Sequence, residues 1–167
     1  MTWNVENLFR PGTPAGPTTA AAYEQKLTGL AKAITAQAPD AVAVQEIGDP
    51  AALDDLIGLL GGRWQRQLSG HPDGRGIRVG WLTPRMISDP AEILDFPAPL
   101  QPVQVDDSGT TLGQMGRGAL AITVTSDNGI AVRLITTHLK SKLPRPPPSG
   151  WPSAKPWAGT ATSGRCC

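Results

Sequence analysis

Three short segments of this sequence carry side chains that could do chemistry. The first, TWNVENLF from Thr2 to Phe9, holds Asn4, Glu6 and Asn7, three oxygen-bearing side chains close together. On a strand, alternation puts Asn4 and Glu6 on one face. The second, AVAVQEIGD from Ala41 to Asp49, runs an apolar stretch into Glu46, where a carboxylate can face a cleft. Asp49, directly before Pro50, reads as a helix cap. The third, RLITTHLKSKL from Arg133 to Leu143, places His138 after a β-branched run, with Lys140 and Lys142 behind it. Each group falls where an element gives way to a loop, and sites concentrate there. Oxygen ligands suit a hard cation, and an imidazole near neutral pKa can donate a hydrogen bond or a proton. Each segment also has an ordinary reading: a polar strand end, a solvated acid before a helix, an exposed histidine among surface lysines.

The surrounding pattern shows what would position these groups. Thr2–Val5 is a strand candidate, followed by a loop marked by Pro11, Gly12, Pro14, Gly16 and Pro17. From about Thr19 to Gln37, Tyr23, Leu27, Leu30, Ala31, Ile34 and Ala38 recur at helical spacing, and Pro39 stops the helix. Ala41–Gln45 is a short buried strand. A second helix opens at Asp49-Pro50, carries Leu53, Leu56, Ile57 and Leu60 as its stripe, and ends at Gly61-Gly62. Trp64–Leu68, Ile77–Leu82 and about Met86–Leu94 read as strands, and residues 97–116 as a long loop. Leu120–Thr125 and Ala131–Thr137 read as a hairpin through Asn128-Gly129. Helices flank the early strands and a meander follows, which predicts an α+β fold with a mixed sheet.

Composition bounds the alternatives. The 167 residues suit one domain, and 40% hydrophobic content is enough for a core. A net charge of +1 gives no strongly basic field to announce a nucleic-acid partner, although a locally basic groove is compatible with it. No apolar run is long enough to cross a bilayer, and no signal-peptide pattern is present, so the default location is the cytoplasm. Cys166 and Cys167 are adjacent, poorly placed for a disulfide, and show no zinc spacing. The sequence therefore divides into a body, residues 1–143, and an irregular Pro/Gly-rich tail, residues 144–167, which has no acidic residue.

Together the three segments resemble the endonuclease/exonuclease/phosphatase superfamily, which includes pancreatic-type deoxyribonucleases, abasic-site endonucleases, inositol-polyphosphate phosphatases and sphingomyelinases. The words that carry the likeness are Asn4-Val5-Glu6-Asn7, Val44-Gln45-Glu46 and Thr136-Thr137-His138-Leu139-Lys140, in that order. RGIRVGWL (Arg75–Leu82) and GRGALAITV (Gly116–Val124) also resemble strands between those motifs in bacterial members. The likeness covers about Met1 to Leu143. It implies a four-layer α-β-β-α sandwich with the site at the open edge between two sheets. It implies Glu46 as the principal Mg²⁺ ligand, with Mn²⁺ or Ca²⁺ as alternatives, and Glu6 as a second acid near the metal. Asn4 would orient the phosphate or nucleophile, and His138 would bond the phosphate or assist the leaving group. Asn7 and Lys140 would contact phosphate. The implied activity is metal-dependent phosphodiester hydrolysis, nuclease-like, on nucleic acid or another phosphate ester. The sequence does not specify an oligomeric state.

The same resemblance calls for more. A Gly-Asp-x-Asn turn and a terminal Asp-His pair belong to the family's site, yet no Asp, Glu, Asn or His follows His138. The expectation is a truncated domain with one sheet largely missing and catalysis incomplete. The tail has the composition of GC-rich DNA read out of frame. The competing reading is a non-catalytic fragment or pseudoenzyme that binds metal or phosphate without turnover.

Overall fold

The computed structural model of the chain describes residues 1–104 and 108–139. The proposed body–tail boundary at residue 143, the tail itself, Lys140 and Lys142 lie outside the described residues.

The first half builds one sheet with helices on one face. Strand β1 spans Thr2–Leu8, helix α1 Ala20–Gln37, β2 Val42–Ile47, helix α2 Pro50–Leu60, β3 Gln65–Leu68 and β4 Arg78–Thr83. Their order in the sheet is β1-β2-β4-β3, with β1 parallel to β2 and the other pairs antiparallel. Both helices start as their sequences direct. Thr19 caps α1 by accepting the Ala22 N–H, and Asp49 caps α2 by accepting the Ala51 N–H at 2.8 Å, with proline in the first turn. The apolar stripe of α1 (Tyr23, Leu27, Leu30, Ala31, Ile34) and that of α2 (Ala52, Leu53, Leu56) are buried against Val5, Leu8, Val42, Val44, Ile47 and Leu82. Arg10 fastens this layer from outside. Its guanidinium takes both oxygens of Asp55, and the Tyr23 hydroxyl donates to the same carboxylate at 2.7 Å.

The second half adds a smaller sheet. Strand β5 spans Ile87–Asp95, β6 Val103–Gln104, β7 Thr111–Leu112, β8 Gln114–Thr125 and β9 Ala131–Thr137. The order β5-β8-β9 is antiparallel throughout, and β6 pairs with β7 as a separate ribbon. The β8–β9 turn is the expected one: Gly129 has φ 82°, and its N–H donates to the Ser126 carbonyl. This sheet lies on the helix-free face of the first. Ala43, Val79 and Trp81 meet Leu120, Ile122 and Val124 there, and the Trp81 indole N–H donates to the Leu120 carbonyl at 3.1 Å.

The described residues thus form three layers, α-β-β, of a mixed α+β fold. A fourth, helical layer outside the second sheet is not among them. Two expectations change. Residues 97–116 are not one loop: a 3₁₀ turn at Ala98–Leu100, the β6–β7 ribbon and the first rungs of β8 fall inside that range. Gly116 and Gly118 both sit in β8. Gly118, at φ 65°, bulges towards β5, and a Cβ there would lie 2.7 Å from Leu94 and 2.9 Å from the Ile93 carbonyl oxygen. The first strand also runs past Val5 to Leu8, for a reason visible at the site.

Candidate functional site

The site lies where β1, β2 and β9 end together. Strict alternation fails in β1, because Glu6 and Asn7 both adopt left-handed backbone, at φ 54° and 58°. The ladder shifts between Asn4 and Leu8, so Val5 and Leu8 are buried while Glu6 and Asn7 between them are exposed. The opposing strand does the same. Glu46 sits at φ 68°, and the β2–β4 register slips between Gln45 and Ile47. Three of the five non-glycine residues with positive φ among the described residues are therefore candidate site residues. Each is a conformation an L-residue adopts at a cost that its surroundings must offset.

Those surroundings are specific. The Asn7 N–H donates to Glu46 Oε2 at 3.1 Å, and the Glu6 N–H to Asn4 Oδ1 at 2.9 Å. The Gly48 and Asp49 N–H groups both reach the Leu8 carbonyl. The Phe9 ring covers Gly48, where any Cβ would overlap it. Asn4 is the ladder partner of Gln45, so it stands one strand across from the base of Glu46. From the second sheet, His138 follows β9 and brings its Nε2 to 3.7 Å from Glu46 Oε1. That is an approach and not a hydrogen bond. The Glu46 side chain is only 16% exposed and that of His138 19%. His138 Nδ1 is buried, with no hydrogen-bond partner among the described residues. Burial, then the Arg117 charge, pushes the imidazole below its ordinary pKa, and Glu46 opposes this. The neutral ring is the form expected at pH 7.

Four further residues reach the site, and none is marked as functional by the sequence alone. Lys26 of α1 extends to the end of β1 and donates to the Glu6 carbonyl at 2.5 Å. Burial lowers its pKa, while Glu6 and Glu46 hold it up. Its spacing gives a signal, since it lies three residues after Tyr23 and four before Leu30, on the buried side of α1. Arg117 of β8 binds Asp73, in the loop before β4, through Nε at 2.9 Å and Nη2 at 2.8 Å. Arg75 stands 3.6 Å from the same carboxylate with 60% of its side chain exposed. No local pattern marks Arg117 or Asp73, because they pair across 44 positions.

Of the expected residues, the structure brings Glu46, Asn7 and His138 into direct proximity and sets Asn4 beside them. Glu6 takes part through its backbone; its carboxylate has no hydrogen bond or ion pair among the described residues. Mg²⁺ is typically held by one or two carboxylates, the rest of its shell being water and phosphate. Glu46, with the Asn4 amide one strand away, fits that sparse donor set. Zinc asks for three or four protein donors, and no cluster of three or more His, Cys, Asp or Glu side chains exists among the described residues.

Comparison with known proteins agrees with the fold. The chain resembles an endonuclease/exonuclease/phosphatase family protein from Leptotrichia buccalis C-1013-b at 16% identity and TM-score 0.54, covering 83% of this chain and 52% of that one. It resembles D. rerio TDP2 humanized by 14 mutations at 22% identity and TM-score 0.54, covering 84% of this chain and 46% of the other. TDP2 from Caenorhabditis elegans aligns at 18% identity and TM-score 0.51, over 84% of this chain and 34% of that one. The chain thus spans about half the length of the first two. No curated protein matches it. The sequence model of the Endonuclease/Exonuclease/phosphatase family matches residues 1–161, and the chain belongs to that family.

Proposed function

We propose that this strand-end cleft serves metal-dependent hydrolysis of a phosphodiester, nuclease-like in kind, on nucleic acid or another phosphate ester. The observation that carries the reading is the meeting of Glu46 and His138 across two sheets, both largely buried and 3.7 Å apart. Glu46 would hold Mg²⁺, with Mn²⁺ or Ca²⁺ as substitutes, and Asn4 would steer the phosphate or the nucleophile. When bound, the ion neutralises charge on the phosphoryl and leaving oxygens. A neutral His138 keeps one N–H to donate to a phosphate oxygen, and its burial shields that bond from water. Asn7 presents its amide side chain at the rim. Lys26 and Arg75 add positive charge for an anionic substrate. Lys140 is a further phosphate contact in this reading, and Glu6 a second acid near the ion.

A second reading has a specific observation behind it. Among the described residues no group of three or more His, Cys, Asp or Glu side chains could hold a metal ion. Residues of a catalytic unit act together, so a partial set gives little turnover. In that reading the cleft binds metal or phosphate without turnover. Calorimetric titration with Mg²⁺ and Mn²⁺, beside cleavage of plasmid DNA and bis(p-nitrophenyl) phosphate, separates the two. Hydrolysis that needs the ion and is abolished by Glu46→Ala supports the enzyme. Metal binding lost in Glu46→Ala, with no turnover in the unmodified chain, supports the binding reading. Cleavage indifferent to chelator and to Glu46→Ala sinks both.

A further inference from the structure

We infer that Arg117 and Asp73 form a bracket that positions His138, tying it to the sheet that carries Glu46. The inference rests on the proposed role of the Glu46–His138 cleft. The last rung between β8 and β9 pairs Ala119 with Thr137. Gly118 then bulges at φ 65°, and the regular ladder stops one residue short of His138. Arg117 supplies the missing partner: its Nη1 donates to the His138 carbonyl at 3.2 Å. The rest of the guanidinium is committed to Asp73 Oδ2 through Nε and Nη2.

Asp73 is anchored in turn. Its Oδ1 accepts the Arg75 N–H at 2.9 Å and the Ile77 N–H at 3.0 Å, and its own N–H donates to the Ile77 carbonyl. Burial alone would raise the Asp73 carboxyl. The two backbone donors and Arg117 outweigh that and hold it below its ordinary value. The loop so wound feeds directly into β4, which pairs with β2. A closed circuit results, from Glu46 through β2, β4, Asp73 and Arg117 to His138 and back across the cleft.

Net stability is a poor explanation for such a pair. The two side chains are 12% and 16% exposed, and ion pairs this far from water return little beyond their desolvation. Phosphate binding is a poor explanation as well, because the guanidinium faces Asp73 and a carbonyl. A planar fork that can bond a carboxylate and a carbonyl at fixed angles suits orientation.

The chain has two histidines, so ring ¹H–¹³C spectra of metal-free protein resolve the question without substrate. With all spectra compared at one fixed pH of 8, a moved ring signal reports changed surroundings. Asp73→Asn is the surgical variant, since its Oδ1 still accepts both backbone N–H groups while its Nδ2 repels the Arg117 donors. Expected in Asp73→Asn and Arg117→Met is a move of the His138 signals to the position of a solvent-exposed imidazole. The His71 signals and core methyls should stay in place. Arg117→Lys, which can serve one partner but not both, should fall between. Unchanged His138 signals in folded Asp73→Asn or Arg117→Met overturn the inference. So does an equal disturbance of His71 and the core, which marks a merely structural role. Arg117→Met failing to fold leaves Asp73→Asn to decide. No ion is present in this experiment, so its outcome is independent of whether Glu46 binds metal.

Discussion

The two hydrophobic contacts of this molecule are built differently. Between the helices and the first sheet, the buried set is large, apolar but for the Tyr23 hydroxyl, and drawn from five elements, β1, α1, β2, α2 and β4. Between the two sheets, the buried set is small, Ala43, Val79, Trp81, Leu120, Ile122 and Val124, and its rim is fastened by polar links. Gln45 donates to Thr136, Arg85 joins Asp40 to Asp127 in the β8–β9 turn, His71 meets Glu92 at 2.8 Å, and Arg117 holds Asp73. Apolar burial is strong but non-directional. Directional bonds fix how one sheet sits on the other, and that is what a site with residues on both sheets requires.

The contrast can be broken at its stronger side first. Leu53 is fully buried in the helix–sheet core, and Leu53→Ala should cost about 2–5 kcal/mol, seen as a lower denaturation midpoint with unchanged slope. At the inter-sheet contact, Trp81→Phe keeps an aromatic ring but removes the bond to Leu120. Its cost should be smaller, about 1–2 kcal/mol. A midpoint shift as large as that of Leu53→Ala would erase the proposed difference between the two contacts.

The smallest effect sharpens the comparison through pH. His138 is held below its ordinary pKa by burial and then by Arg117. As pH falls, the unfolded chain therefore takes up this proton before the folded one does. Stability from this group is complete above the ordinary imidazole value of about 6.5 and is lost as pH drops below it towards the folded value. Thermal melts of metal-free protein should decline across that window. The decline should be shallower in His138→Gln. Equal slopes in the two proteins would show that the inter-sheet cleft does not desolvate the ring.

Much of this architecture could be read from the sequence, because the signals involved are local. The 3.6-residue stripe of α1, Pro39 after it, Asp49-Pro50 before α2 and the Asn128-Gly129 turn each act within a few residues. Residues 97–116 misled because the β6–β7 ribbon is only two rungs long, Val103 with Leu112 and Gln104 with Thr111, too short to leave a local signal among the prolines and glycines. The alternation of β1 breaks only beyond Asn4 and Glu6, at Asn7 and Leu8, and nothing in the letters reports the positive φ at Glu6 and Asn7 that goes with it. At the site, Glu46 and His138 were legible as words resembling a family. Asp73 and Arg117 were not, since a Pro-Asp-Gly turn and an arginine between glycines acquire meaning only when tertiary structure brings them together.

The left-handed residues at 6, 7 and 46 carry a consequence for anyone evolving this protein. Each stores on the order of 1 kcal/mol that glycine would release. A screen for heat tolerance alone would thus reward glycine at all three positions. At position 46 that reward removes the carboxylate itself. Selection for robustness and selection for chemistry pull in opposite directions on one backbone atom, so hardening this scaffold requires that position 46 be withheld from the library.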